Sequence, residues 1–143
     1  MGELSNGARE KTYSILDTDL TVSGTTAVDS GLYVTVAANT AYRLESVLNT
    51  TGSADGVIST LVLGATPASS GLYYEFYDTG ASTYSMDSTA INSGLGTGSD
   101  FIRRTGVFIS PYTGVLKIIV RESVDFGGDS VIKAGSYLLI QPL

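Results

Sequence analysis

The chain has 143 residues, no cysteine, histidine or tryptophan, and 8 basic against 14 acidic residues for a net charge of −6. That inventory excludes a disulfide scaffold, a thiolate or imidazole centre and a Ser-His-Asp triad, and it argues against nucleic-acid binding, which needs a basic face to displace counterions from phosphates. One domain is the natural count for this length, and 43% hydrophobic with only 15% charged residues describes a folded, β-rich protein with a neutral, hydroxylated surface.

Residues 1–19 place four charges, Glu3, Arg9, Glu10 and Lys11, within the first eleven positions and show weak periodicity. They are expected to form an extended arm or a loose first strand. No apolar signal core or membrane-spanning run is found, so no membrane partner is expected. Gly2 follows Met1, but Asn6 stands where a myristoylation motif needs a hydroxyl. Leu20–Val22 then leads into the turn-like Ser23-Gly24-Thr25-Thr26. Leu32, Val34 and Val36 alternate with Tyr33 and Thr35, and Tyr42, Leu44, Ser46 and Leu48 alternate with Arg43, Glu45 and Val47. This period of two is the mark of half-buried strands. Asn49-Thr50-Thr51 matches a glycosylation sequon by letter only.

Further strands are expected near residues 57–63, 71–77, 101–110, 114–122 and 131–143, with a turn signal every ten residues or so. Apolar residues nowhere recur with helical spacing over three turns. The expected fold is therefore an all-β, antiparallel β-sandwich, jelly-roll-like, with an N-terminal arm over 1–19 and a single domain over 20–143. The ending KAGSYLLIQPL (133–143) reads as a strand with Tyr137, Leu139, Gln141 and Leu143 on one face and Leu138 and Ile140 on the other. A strand apolar on both faces must be covered on both, by its own domain or by another copy.

Residues 78–100 are small and polar and too long for a tight hairpin turn, so they are expected to form a long loop, either of the functional or mobile kind or a surface excursion with no ligand. The tetrapeptide SGLY occurs at 30–33 and again at 70–73, each time at the start of an expected strand. Gly94-Leu-Gly96-Thr-Gly98 resembles a phosphate loop only superficially, since no lysine follows and the next segment reads as strand. Asp17-Thr-Asp19 and Asp125-Phe-Gly-Gly-Asp129 offer carboxylates but not the EF-hand spacing, and the second reads more simply as a turn. A Ser-Lys dyad is formally open, but Lys11, Lys117 and Lys133 fall on arm and strands. No spacing selects a carboxylate pair for glycoside chemistry. Neither an enzyme nor a cofactor or metal is expected.

The aromatic stretch GLYYEFYD (71–78) places Tyr73, Tyr74 and Tyr77 beside Phe76 on both faces of one strand. Such platforms serve protein partners or sugars, and core on one side with a subunit contact on the other is the simpler reading. Arg103-Arg104 puts one guanidinium on each face of its strand.

Thr105-Gly-Val-Phe-Ile-Ser-Pro-Tyr-Thr-Gly114, Val115–Glu122 (VLKIIVRE), Ile132–Ile140 (IKAGSYLLI) and Val34–Leu48 (VTVAANTAYRLESVL) together cover about half of the chain. This order of strand, TG turn, strand, polar loop and closing AGSYL strand resembles small virion proteins of tailed bacteriophages. The resemblance implies a β-sandwich homotrimer serving as capsid cement (decoration) protein on the outer capsid surface, made in the host cytoplasm, with the major capsid protein as partner. It implies capsid contacts by Arg9, Lys11 and Tyr13 of the arm. The trimer interface would hold Tyr73, Tyr74, Tyr77, Arg103, Tyr137 and Leu139. The alternatives are a tail-fibre or receptor-binding domain recognising host glycan or protein, and a stand-alone bacterial lectin. The 78–100 excursion departs from the family pattern.

Overall fold

The structure, a computed structural model, describes residues 11–51, 57–64, 66–67, 73–78, 92–94, 100–111, 113–122 and 127–143. Within these the chain forms twelve strands and no helix: β1 (Thr12–Ile15), β2 (Leu20–Val22), β3 (Val28–Val36), β4 (Thr40–Thr51), β5 (Val57–Leu63), β6 (Thr66–Pro67), β7 (Tyr73–Asp78), β8 (Asn92–Gly94), β9 (Asp100–Ser110), β10 (Gly114–Glu122), β11 (Ser130–Ile132) and β12 (Tyr137–Pro142). All pairings are antiparallel and fall into two sheets.

Sheet A is organised around β4, the longest strand. One edge of β4 pairs with β9 from Thr40–Ser110 to Thr50–Asp100, and β9 pairs in turn with β7. The other edge of β4 carries two strands end to end, β12 along Tyr42–Val47 and β11 at Thr50 and Thr51. Outside these, β1 pairs with β12 and β2 with β11. Sheet B runs β3-β10-β5-β6, with β8 also on β5. The connections from β2 to β3, β3 to β4, β4 to β5 and β9 to β10 each cross from one sheet to the other.

The alternation in the sequence becomes the core. Leu32, Val34 and Val36 of β3, Leu116, Ile118 and Val120 of β10, and Leu61 and Leu63 of β5 meet Tyr42, Leu44 and Leu48 of β4 and Leu138 and Ile140 of β12. All are buried, and each such aliphatic side chain contributes about 1.5–3 kcal/mol by leaving water. The apolar terminal strand is explained by its place: β12 is flanked by β1 and β4, with Leu138 and Ile140 turned into the core.

The boundary expected between arm and domain moves. Thr12–Ile15, read from sequence as part of an extended arm or a loose first strand, is an edge strand of sheet A, so the sandwich takes in the segment that holds Tyr13. Its partner lies over a hundred residues away, and its inward positions are the polar Thr12 and Ser14, so no apolar alternation announces it. Ser14 turns its hydroxyl to the edge of sheet B, where Oγ accepts from the N–H of Tyr33 at 3.0 Å. Arg9 lies outside the described residues.

The chain breaks between β1 and β2 directly opposite the break between β11 and β12. Leu16 N–H donates to Ser136 O and Gly135 N–H to Leu16 O, both at 2.9 Å. Asp19 receives Lys133 Nζ at 2.5 Å and Ala134 N–H at 2.8 Å, and Ser136 Oγ accepts from Asn49 N–H at 2.9 Å. Backbone groups released by the interrupted ladder are thereby paired again. Gly135, at φ 92°, supplies the left-handed residue this double kink requires.

Among the described residues two charged side chains are buried. Arg104 reaches from sheet A across the core, where Nη2 donates to the Ser59 carbonyl (2.6 Å) and hydroxyl (2.7 Å) on β5. Glu122, fully buried at the end of β10, accepts from Gly24 N–H at 2.8 Å and Ser130 N–H at 3.0 Å. It clamps the start of the β2–β3 connection and the start of β11 to one point.

Candidate interaction face

The register of sheet A stacks its outward-facing residues in rows across five strands. Ile15, Tyr137, Val47, Arg103 and Tyr77 form one row. Tyr13, Leu139, Glu45, Thr105 and Glu75 form the next, and Gln141, Arg43, Val107 and Tyr73 a third. Ala41 and Ile109 follow. Residues assigned from sequence to two different contacts, Tyr13 to the capsid and Arg103, Tyr137 and Leu139 to the trimer, thus share one face.

Exposure separates them. Tyr13 is 55% exposed, whereas Leu139 beside it is 7% exposed and already covered within its own chain. The apolar area this face offers comes from Tyr13, Ile15 (55%), Ile109 (48%) and Val107. Ile15, Val107 and Ile109 were not singled out by sequence. The alternation within TGVFIS held the signal for the last two, since Val107 and Ile109 are odd-numbered like the outward Arg103. The face assigned to Tyr74 changes: it pairs with Gly106, itself opposite the core residue Leu44, so its register position is inward. Tyr73 and Tyr77 hold outward register positions; the side chains of all three lie outside the described residues. Lys11 is exposed just before β1.

The centre of the face is polar and internally bonded. Tyr137 Oη donates to Glu45 Oε1 at 2.5 Å, and Arg103 Nη2 lies 4.0 Å from the same oxygen. Burial, followed by the hydrogen bond to Glu45, pushes the Tyr137 phenol up to about 12. Arg43 lines a shallow depression of about 360 Å³ with Gln141, Pro142 and Leu143 at one end of the face. Charges of both signs set among exposed apolar rows can complement a protein surface, including another copy of this one.

The other sequence candidates are dispersed. Both carboxylate oxygens of Asp19 are engaged by Lys133 and Ala134, which together hold its carboxyl below the usual range, the Lys133 hydrogen bond most. Asp129 accepts from Ser23 Oγ at 2.7 Å. Asp125, Gly96, Gly98 and the 79–91 part of the long excursion lie outside the described residues; Asn92–Gly94 is a strand on β5. The buried roles of Arg104 and Glu122 were not foreseen, because nothing local marks a charged residue as inward when its partners are backbone groups far along the chain.

No protein-family model and no curated protein matches the chain. Among solved structures, the VP2 subviral particle of infectious bursal disease virus aligns with 93% of this chain and 39% of that one, at 11% identity and a TM-score of 0.29. A mutant VP2 protein of the same virus, in derived T=1 particles, aligns over the same shares at 10% identity and a TM-score of 0.28. The chain thus spans 39% of the length of each of these two structures.

Proposed function

We propose that the protein is a virion structural component of a tailed bacteriophage, a cement protein that binds the outer capsid surface as a homotrimer. The outward face of sheet A carries this reading. It gathers Tyr13, Ile15, Val107 and Ile109 around the Glu45–Tyr137–Arg103 cluster, and three of its strands, β4, β9 and β12, lie partly within the segments that resemble the phage proteins. In a cyclic trimer one heterologous contact is repeated and closed, and a face with both charge signs suits such self-association. The order β1/β2–β12/β11–β4–β9 opposite β3–β10–β5–β6, with the chain passing back and forth between sheets, supports the jelly-roll form of the sandwich.

A protein that binds only the assembled shell stabilises it by mass action, and three copies joined in one trimer engage together, so weak contacts per copy suffice for firm retention. Lys11 at the edge of this face is where contact by the preceding residues would begin. The test is mass spectrometry of purified virions together with sedimentation of the free protein. Abundance in proportion to capsid subunits supports cement, a few copies per particle support a tail component, and absence rejects both. A stable 14.9 kDa species at micromolar concentration rejects the trimer.

A further inference from the structure

We propose that the outward face of sheet B carries a binding site for a neutral saccharide, built on Tyr33. The site lies on the opposite side of the sandwich from the face described above and does not rest on the cement reading.

The ring of Tyr33 stands free, 58% exposed, while its backbone is held from several sides. Its N–H donates to Ser14 Oγ. Three residues earlier, Ser30 Oγ accepts from Leu32 N–H at 3.1 Å and donates to the Ile118 carbonyl at 2.5 Å. That carbonyl sits where the β3–β10 register shifts, between Lys117 and Ile119. Gly31 takes φ 85° and gives its N–H to Asp29 Oδ1 at 2.9 Å. Bulges of this kind re-aim side chains and recur beside functional sites. The first SGLY motif is thus the device that presents the tyrosine: Ser30 inward as a hook, Gly31 for the turn of the backbone, Leu32 in the core and Tyr33 outward.

Beside the ring is a depression of about 540 Å³ lined by Asp29, Tyr33, Gly64, Val115 and Lys117, within the range of about 300–1,000 Å³ used by small-ligand sites. Gly64, at φ 66° with its N–H on the Val115 carbonyl, brings no side chain to the space beside Val115. Lys117 Nζ lies 3.2 Å from Asp29 Oδ2, and the pair is open to solvent. An ammonium has three protons and a carboxylate several lone pairs, so both keep capacity for a ligand.

The chemistry selects the ligand class. An aromatic face and an exposed valine suit the C–H face of a sugar ring, and an acceptor next to a donor suits its hydroxyls. An anion would meet Asp29 and a net charge of −6, and a cation would meet Lys117. A flat apolar partner would strip water from the ion pair with nothing in return. A neutral polyhydroxylated ring meets none of these objections.

The experiment is titration of the full-length protein with maltotriose, cellotriose, mannotriose and tri-N-acetylglucosamine, followed through its amide NMR signals. At least one of these should give saturable shifts centred on Tyr33, Gly64, Val115 and Lys117. Tyr33→Ala should weaken that binding by about tenfold or more and Tyr33→Phe by less than about threefold, as expected for loss or retention of an aromatic contact. Thermal unfolding of each variant checks that the sandwich is intact. The proposal is overturned if none of the four sugars saturates, if Tyr33→Ala binds like the parent, or if the shifts fall on sheet A. It is overturned in favour of a protein contact if Tyr33→Ala lowers retention on virions while the sugars leave these amides unmoved. Oligomeric state and virion location are measured separately, so failure here is distinguishable from failure of the cement reading.

Discussion

On the outward face of sheet A, exposed Tyr13, Ile15, Val107 and Ile109 occupy adjoining rows around the Glu45 cluster; on that of sheet B, exposed Tyr33 and Val115 are interrupted by the Lys117–Asp29 pair and by Gly31 and Gly64. Both faces come from the same period of two. What separates them is whether apolar residues on neighbouring strands fall into register. Where they do, the result is a broad surface suited to a large partner. Where glycine and an ion pair intervene, one aromatic ring is left beside a dent of ligand size. Register, which is invisible in any single strand, therefore decides what each face can bind.

The largest expected effect tests the first half of that contrast. Ile15→Asp or Ile109→Asp would bury an unpaired carboxylate in the assembled face, which should weaken self-association by more than about a hundredfold, a cost of about 3 kcal/mol or more. Val115→Asp, a similar change at an exposed site on sheet B, should leave the assembly intact. Sedimentation of the three variants decides the matter. Equal effects from both faces would remove the distinction.

A second expectation concerns the sandwich beneath both faces. Glu122→Gln keeps the shape but replaces one acceptor oxygen with a donor, leaving either Gly24 N–H or Ser130 N–H without its partner. The loss should be about 1–3 kcal/mol, seen as a thermal midpoint several degrees lower with oligomeric state unchanged. An unchanged midpoint would mean that Glu122 does not clamp the β2–β3 connection to β11.

How much of this was legible follows from where the information sits. Alternation in VTVAANTAYRLESVL and in YLLIQPL set Val34 and Val36, Leu44 and Leu48, and Leu138 and Ile140 apart from their neighbours, because each strand declares its own two faces, and these are the sets that the structure buries. It placed Arg103 and Tyr137 on an outward surface and named Tyr13, but it could not bring them together, since that depends on pairing between residues as distant as Tyr13 and Leu139. The expectation that Leu139 offers contact area fails for the same reason: its cover comes from neighbouring strands. The sequence put Arg104 on the face opposite Arg103 but named no buried partner for it, and it did not single out Glu122, because carboxylate-to-amide and guanidinium-to-carbonyl partners leave no trace in composition.

Tyr137 offers a smaller, spectroscopic handle on sheet A. Its phenol lies above the ordinary value of 10, at about 12, so the neutral form is favoured in the folded state. The associated stability is fully present below about pH 10 and is lost as pH rises through the raised value. The ultraviolet difference between the parent and Tyr137→Phe should titrate near pH 12. It should shift higher still in the oligomer if that face is covered. A midpoint near the ordinary value would show that the phenol neither is shielded nor donates to Glu45.

The smallest effect belongs to the ion pair on sheet B, and its smallness is informative. The N–H of Gly31, with a further contribution from Lys117, holds the Asp29 carboxyl below its ordinary value of 3.8 against the opposing effect of partial burial. A depressed carboxyl contributes stability that is present above its unfolded value and is lost as pH falls through the folded one. Exposed pairs of this type contribute at most about 1 kcal/mol. Asp29→Asn, which keeps an acceptor for Gly31 but removes the charge, should therefore lower stability at neutral pH by less than about 1 kcal/mol. The difference should shrink on acidification below about pH 4, where the parent loses the same charge. Denaturant titrations at neutral and acidic pH measure it, and a gap that persists in acid would mean that the amide, and not the lost charge, disturbs the strand. A pair that does so little for the fold can be drawn towards hydroxyl groups without loosening β3, which is the condition a ligand-binding ion pair beside Tyr33 must meet.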